Sequence, residues 1–108
     1  MEDYLFTNLR DDVCGYFMAQ TSDELCRRVG ISREQADNFA AKSHQKTERS
    51  ISEGTWEQEV VDVETPEGLV RYSDEDHVVI GTTEESLSGL RTHFGPESLV
   101  TAGNASGV

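Results

Sequence analysis

The stretch Gly30-Ile31-Ser32-Arg33-Glu34-Gln35 constrains the fold of this chain more than any other. Ser32 can act as an N-cap, its hydroxyl accepting from an orphan backbone N–H, while Gln35 three residues on reaches back to close a capping box. A helix therefore starts at residue 33. Small and apolar residues follow at Ala36, Phe39, Ala40, Ser43 and Ile51, the three-and-four spacing of one helical face, and Gly54 ends it. Ahead of the cap, Thr21-Ser22-Asp23-Glu24 carries a second start signal, with Leu25 and Val29 as an apolar pair. The spacing predicts helix, glycine turn, helix over residues 21–52.

Two helices joined through a glycine suggest a helix-turn-helix DNA reader, with Leu25, Val29, Ile31 and Ala36 as its core. Such a unit needs a basic recognition face. The second helix instead mixes Arg33, Lys42 and Lys46 with Glu34, Asp37 and Glu48, in a chain of formal charge -12. That charge repels phosphate-rich polymers, so nucleic acid is not an expected partner. A stand-alone acidic interaction module is a further alternative.

The 108 residues allow at most one ordinary domain with a modest core. Cys14 and Cys26 lack a C-x-x-C spacing and read as free thiols of a reducing compartment. No apolar run reaches bilayer-spanning length, and the first residues lack a signal-peptide layout, so a cytoplasmic protein without a membrane partner is expected.

Along the chain, Tyr4, Leu5, Phe6 and Leu9 form a hydrophobic cluster expected to dock on something, and Cys14-Gly15-Tyr16-Phe17-Met18 forms an apolar loop. After Gly54, Trp56, Val60, Val61 and Val63, then Leu69, Val70 and Tyr72, flank Thr65-Pro66-Glu67-Gly68. β-branched and aromatic residues around turn chemistry predict a hairpin, with Trp56 packed at its head. Asp74-Glu75-Asp76 reads as a solvated turn before the apolar run 77–80. Thr82 with Glu85 predicts a short capped helix through Leu90, and Leu99-Val100-Thr101 a buried strand. The strand runs into Ala102-Gly103-Asn104-Ala105-Ser106-Gly107, the composition of a loop that lets a ligand approach the backbone. An apolar start and a strand that ends the chain make both termini look cut from a larger protein. Cys14 and Cys26 read as small buried hydrophobes. His44, His77 and His93 lack the paired spacing of a zinc site, so no metal site is expected.

Met18 with Thr21-Ser22-Asp23-Glu24-Leu25, the run from Gly30 to Ala40, Ser43-His44-Gln45-Lys46 and Glu59-Val60-Val61 occur in one order. Thr82-Thr83-Glu84, Leu90-Arg91, Phe94 and Val100-Thr101-Ala102-Gly103-Asn104-Ala105-Ser106-Gly107 complete it. Over essentially its whole length the chain resembles the middle of a thiolase, an acyl-coenzyme A acyltransferase. The resemblance implies an α/β protein, here an α+β fragment: a helical loop domain with a β-hairpin, cut from an α-β-α layered fold. Residues 1–98 would be the loop domain that covers coenzyme A, its N-terminal edge incomplete, and residues 99–108 the return strand and coenzyme A-contacting loop of the catalytic core.

The implied parent carries out reversible thiolytic cleavage and Claisen condensation of 3-ketoacyl-coenzyme A through a cysteine thioester. Its nucleophile lies upstream, and its histidine and second cysteine lie downstream in Gly-His-Pro and Cys-x-Gly-Gly-Gly motifs, so no residue here is catalytic and this chain alone is expected to be inactive. Coenzyme A thioesters are substrates, no cofactor is held permanently, and the implied partners are the rest of the chain and identical subunits in a homodimer or homotetramer. Ser106 with the Ala105 backbone matches the pantetheine contact, Met18 the acyl-pocket methionine and Ser86 a serine near the ligand. Phe17 replaces a histidine of biosynthetic members, which leans toward fatty-acid degradation. Val79 replaces an arginine that meets the nucleotide, which would weaken that contact.

Overall fold

The computed structural model describes residues 4–71 and 77–106. Tyr72, the acidic turn Asp74-Glu75-Asp76, Gly107 and the side chains of Leu5 and Phe6 lie outside the described residues. Helix α1 covers Tyr4–Asn8, α2 Met18–Val29 and α3 Arg33–Ser52; strands β1 (Val63–Thr65) and β2 (Gly68–Val70) precede α4 (Glu84–Ser88).

The cap of α3 forms as the sequence predicts. Gln35 N–H donates to Ser32 Oγ (3.2 Å) and Ser32 N–H donates to Gln35 Oε1 (2.9 Å). The helix then runs 20 residues and stops where Gly54, at φ +70°, donates its N–H to the Ile51 carbonyl. Helix α2 starts three residues earlier than predicted, at Met18 and not Thr21. Phe17 is its N-cap residue and cannot accept with its side chain, but its N–H donates to Gln20 Oε1 (3.0 Å). The reach-back half of a capping box is sufficient here. Gly30, at φ +76°, closes α2 in a left-handed conformation, with its own N–H and that of Ile31 both donating to the Cys26 carbonyl.

A helix-turn-helix core is absent. Helices α2 and α3 do not pack on one another, and Leu25, Val29 and Ile31 are exposed. The helix that α3 does pack against is α4.

The surface of α2 carries an ionic fork, in which Glu24 accepts from Arg27 (2.8 and 2.9 Å) and from Arg28 (2.7 Å). The hydrogen bonds from Arg27, then from Arg28, lower the Glu24 carboxyl from 4.5 to about 2. A depressed carboxylate stabilises the fold above its unfolded pKa, and the contribution is lost as pH falls toward the folded value. The Glu24 fork is therefore expected to hold above about pH 4.5 and to open as pH falls toward 2. Carbon-detected NMR titration of the Glu24 carboxyl checks this; a midpoint near 4.5 contradicts it.

The hairpin is shorter than predicted. Val63 pairs with Val70, Glu64 with Leu69 and Thr65 with Gly68, antiparallel around Pro66-Glu67. Trp56 sits in the turns that follow α3, partly exposed, instead of packing at the head of a strand. The hairpin packs on no helix among the described residues.

Three further expectations are corrected. Helix α4 is capped by Thr83 with Ser86, one residue on from Thr82 and Glu85, and ends at Ser88. Residues 99–101 form no strand; Thr101 makes a single antiparallel bridge to Thr92. Cys14 is exposed in a turn in which Asp11 Oδ1 accepts from the Val13 and Cys14 N–H groups.

The face of α3 that turns inward also differs from prediction. Phe39 is 78% exposed, whereas Asp37, Ala40 and Ala41 are buried. With Leu87 of α4, the two alanines form the buried apolar cluster among the described residues. Polar residues share this interior: Asp37, Thr82, Ser98 and Thr101 are all buried.

Candidate functional site

A polar interior demands hydrogen bonds, because an unpaired buried polar group costs about 1–3 kcal/mol. Here the inner face of α3 supplies them. Arg33, Asp37, His44 and Glu48 recur at helical spacing, and their side chains grip the segment from residue 81 to residue 104. Arg33 Nε donates to Asp37 Oδ2 (2.7 Å), while its Nη2 donates to the carbonyls of Leu87 (2.7 Å) and Leu90 (3.1 Å). Both carbonyls lie at the end of α4, the Leu87 one also accepting from Leu90 N–H (3.0 Å), so Arg33 caps that helix from a neighbouring one. Asn38 donates to Glu84 (2.7 Å), Gln45 to the Thr82 carbonyl (3.1 Å), and Glu48 accepts from Gly81 N–H (3.1 Å).

The turn 101–105 is held from both sides. Asn104 Oδ1 accepts from Thr101 N–H (2.8 Å), and Asn104 Nδ2 donates to the Leu99 carbonyl (2.7 Å) and to Asp37 Oδ1 (3.3 Å). The Gly103 and Ala105 N–H groups both donate to Thr101, to its hydroxyl (3.2 Å) and its carbonyl (3.0 Å). Gly103 lies flat against α4, where a Cβ would run into Leu87 Cδ2 and come within 2.7 Å of Leu90 Cδ1. His44 Nε2 lies 3.2 Å from the Gly103 carbonyl, so this nitrogen carries the proton and Nδ1 is left a buried acceptor without a partner. From α2, Asp23 accepts from Leu99 N–H (2.9 Å).

The consequence is a preorganised loop whose tip faces outward. Ala105 and Ser106 are exposed, and among the described residues the Ser106 hydroxyl has no hydrogen-bond partner. Ser86 lies on α4, the helix that Gly103 packs on, one residue before Leu87. Its hydroxyl accepts from Thr83 N–H (3.0 Å) and donates to the Thr83 carbonyl (2.8 Å), so it is part of the helix cap. Met18 stands apart at the start of α2 and is 67% exposed. Next to it Phe17 stacks on Phe94, with ring centroids 5.8 Å apart. An open cleft of about 370 Å³ lies between α2 and residues 94–98, with Gln20, Asp23, Glu24 and Glu97 in its wall. Val79 is exposed on the segment that leads to Gly81. The structure therefore brings Ser86, Ala105 and Ser106 onto two elements in contact and leaves Met18 on a third.

The residues that hold the loop, Arg33, Asp37, His44 and Asn104, are not among the site residues predicted from sequence. Their signal is the recurrence of polar side chains at 33, 37, 44 and 48, a stripe that apolar periodicity passes over. Among the described residues no group of three histidine, cysteine, aspartate or glutamate side chains could hold a metal ion.

The sequence model of one protein family, described as thiolase, N-terminal domain, matches residues 1–108. The chain is 39% identical to an acetyl-CoA acetyltransferase of Allochromatium vinosum, all of it aligning with 28% of that protein. It is 38% identical to a probable acetyl-CoA acyltransferase of Staphylococcus aureus, again over its whole length and 28% of the relative. Among solved structures it superposes on human mitochondrial 3-ketoacyl-CoA thiolase in complex with CoA with a TM-score of 0.90 at 34% identity, covering 99% of this chain and 27% of that one. The dimeric peroxisomal thiolase of Saccharomyces cerevisiae gives 0.80 at 31% identity, over all of this chain and 28% of that one. The chain spans little more than a quarter of the length of these relatives.

Proposed function

Because this chain belongs to the thiolase family, we propose that it supplies the coenzyme A-covering part of an acyl-CoA:acetyl-CoA C-acyltransferase. Residues 1–98 are the loop domain and residues 99–108 the return toward the catalytic core. The parent cleaves a 3-ketoacyl-coenzyme A. A cysteine thiolate attacks the keto carbon, the bond between C2 and C3 breaks, and its electron pair stays on C2, which is protonated to give acetyl-coenzyme A. The thiol of a second coenzyme A then takes the acyl group from the cysteine thioester, and condensation is the reverse. The reacting groups lie outside these 108 residues, and this part contributes binding.

The observation that carries the reading is the outward tip of the clamped turn. Ala105 is exposed at the end of a turn fixed by its own N–H bond to Thr101, and the exposed Ser106 that follows has a hydroxyl without a partner among the described residues, which lowers the ordering cost of binding. The pantetheine arm offers amide N–H and C=O groups to such a tip. Ser86 has one lone pair free after its two cap bonds, so it can accept from an arm N–H but has no proton to offer. Exposed Met18 supplies an adaptable apolar wall for the acyl tail. Phe17, stacked on Phe94, makes an apolar contact where biosynthetic members carry a histidine, which supports the degradative direction of fatty-acid metabolism. Exposed apolar residues such as Val13, Leu25 and Phe39 give the remainder of the parent and a second subunit surface to cover. We place the parent in the cytoplasm as a homodimer or homotetramer.

The test uses the full-length protein that contains this segment. It is expected to cleave acetoacetyl-coenzyme A in the presence of coenzyme A. Ser106→Trp should raise KM for coenzyme A about tenfold or more, a loss of about 1.4 kcal/mol of binding, with the circular dichroism spectrum unchanged. A folded protein that neither turns over the thioester nor binds coenzyme A sinks the proposal.

A further inference from the structure

We propose that His44 is a positioning residue for coenzyme A binding: its Nε2–H fixes the Gly103 carbonyl and thereby sets the direction in which the chain delivers Ala105 and Ser106 to the ligand. The effect on coenzyme A rests on the functional reading above; the hold on the turn does not.

The peptide unit between Gly103 and Asn104 leads directly to the exposed tip. Its N–H donates to the Thr101 carbonyl at 3.3 Å, and that carbonyl is shared with Ala105 N–H at 3.0 Å. Its own carbonyl lies 3.2 Å from His44 Nε2. Glycine, with no Cβ, restricts the rotation that orients this peptide less than any other residue would. A long, shared bond at one end of such a unit leaves its orientation to the bond at the other end. The remaining bonds of the turn act elsewhere: Asn104 is tied through its side chain to Thr101, Leu99 and Asp37, and Gly103 N–H is tied to the Thr101 hydroxyl. His44 is thus the side chain that addresses the plane of this peptide.

The choice of an imidazole fits positioning better than stability. Nε2 must carry the proton to meet a carbonyl, and Nδ1 is then a buried acceptor with no partner among the described residues. An apolar side chain would discard the cost of that unpaired nitrogen while leaving the Gly103 carbonyl short of a donor, two losses of similar size that offset. What the ring contributes is a rigid N–H at a fixed distance from α3.

The experiment uses the full-length protein that contains this segment and its variants His44→Gln, His44→Asn and His44→Leu. Glutamine carries an NH2 group about as far from the helix as Nε2, asparagine carries one only as far as Nδ1, and leucine has no donor. KM for coenzyme A and kcat are measured in thiolysis of acetoacetyl-coenzyme A, beside thermal unfolding and hydrogen exchange of peptides spanning residues 99–106. His44→Leu and His44→Asn should each raise KM for coenzyme A about fivefold, the usual worth of one hydrogen bond, with kcat unchanged. Exchange in residues 99–106 should quicken by a similar factor, while the unfolding midpoint of His44→Leu moves little. His44→Gln should restore both KM and protection. The contrast between asparagine and glutamine stands even if His44→Leu fails to fold. Equal losses in His44→Gln and His44→Asn, a wild-type KM in His44→Asn, or a fall in kcat at constant KM overturns the proposal while leaving the thiolase reading intact. A folded wild-type protein that neither cleaves acetoacetyl-coenzyme A nor binds coenzyme A overturns the thiolase reading instead, and the exchange data then decide whether His44 holds the turn.

Discussion

Replacing Asp37 by alanine is expected to destabilise the packing of α3 on the segment 99–105 by about 3 kcal/mol, the usual cost of breaking a buried ion pair from one side. Asp37 is fully buried, and its Arg33 partner is three-quarters buried. Without the carboxylate, the guanidinium keeps its bonds to the Leu87 and Leu90 carbonyls but carries an uncompensated charge, and Asn104 loses one of the two acceptors of its amide. Asp37→Asn should cost less, since the one amide oxygen can still accept from one of the two partners that now address separate carboxylate oxygens, while its NH2 faces the other. Hydrogen exchange read by mass spectrometry on peptides spanning residues 99–105 checks this directly. Protection there should fall by roughly a hundredfold for a loss of about 3 kcal/mol, and by less for Asp37→Asn. Protection unchanged in Asp37→Ala would show that the seam is held without the carboxylate.

The second large effect is expected from Leu87→Ala, at about 3 kcal/mol. Among the described residues Leu87 is the one large apolar side chain in the buried cluster, where the other members are Ala40 and Ala41, so little remains to close over the cavity. Its partner across the contact is Gly103. Gly103→Ala alone should cost about 1–2 kcal/mol, because the new Cβ must push Leu87 and Leu90 aside. In the double variant the alanine methyl enters the space that Leu87 vacates, so the two losses should sum to less than their separate values. Thermal or urea unfolding of the four proteins measures the cycle. Strict additivity would mean that Gly103 and Leu87 do not share the contact the structure shows.

How much of this was legible in the sequence follows from how local each interaction is. The Ser32 and Gln35 box is complete within four residues, and the structure keeps it unchanged. The sequence places the cap of α4 at Thr82 with Glu85, and the structure places it one residue on, at Thr83 with Ser86. The choice falls to Thr83 because Thr82 is buried, with its carbonyl bonded to Gln45, a partner 37 residues away that no local pattern reveals. The start of α2 was missed because glutamine can serve the cap alone when the capping residue is phenylalanine. The inward face of α3 was misread because its buried contacts are polar. Arg33 meets Leu87 across 54 residues and Asp37 meets Asn104 across 67, so the pattern that identifies an apolar stripe pointed instead to Phe39, which is exposed. The run Leu99-Val100-Thr101 has strand composition, but its described pairing is one bridge to Thr92. Of the candidate site, the loop at residues 102–106 was expected from its composition and the roles of Ala105 and Ser106 only from the family resemblance, whereas the residues that clamp the loop were not expected.

That clamp is made chiefly between side chains of α3 and main-chain atoms. Arg33, His44, Gln45 and Glu48 address the carbonyls of residues 82, 87, 90 and 103 and the N–H of residue 81. Every amino acid presents the same carbonyl, so the helix is blind to most of the identities in the strip it holds. Such a strip can drift in sequence while its path through space stays put, which matches a chain that shares about a third of its residues with a human relative and yet overlays it at a TM-score of 0.90. The exceptions are positions where the side chain itself is addressed, Asn104 and Glu84, and Gly103, where any side chain is refused. Those are the places where a lineage has the least room to wander.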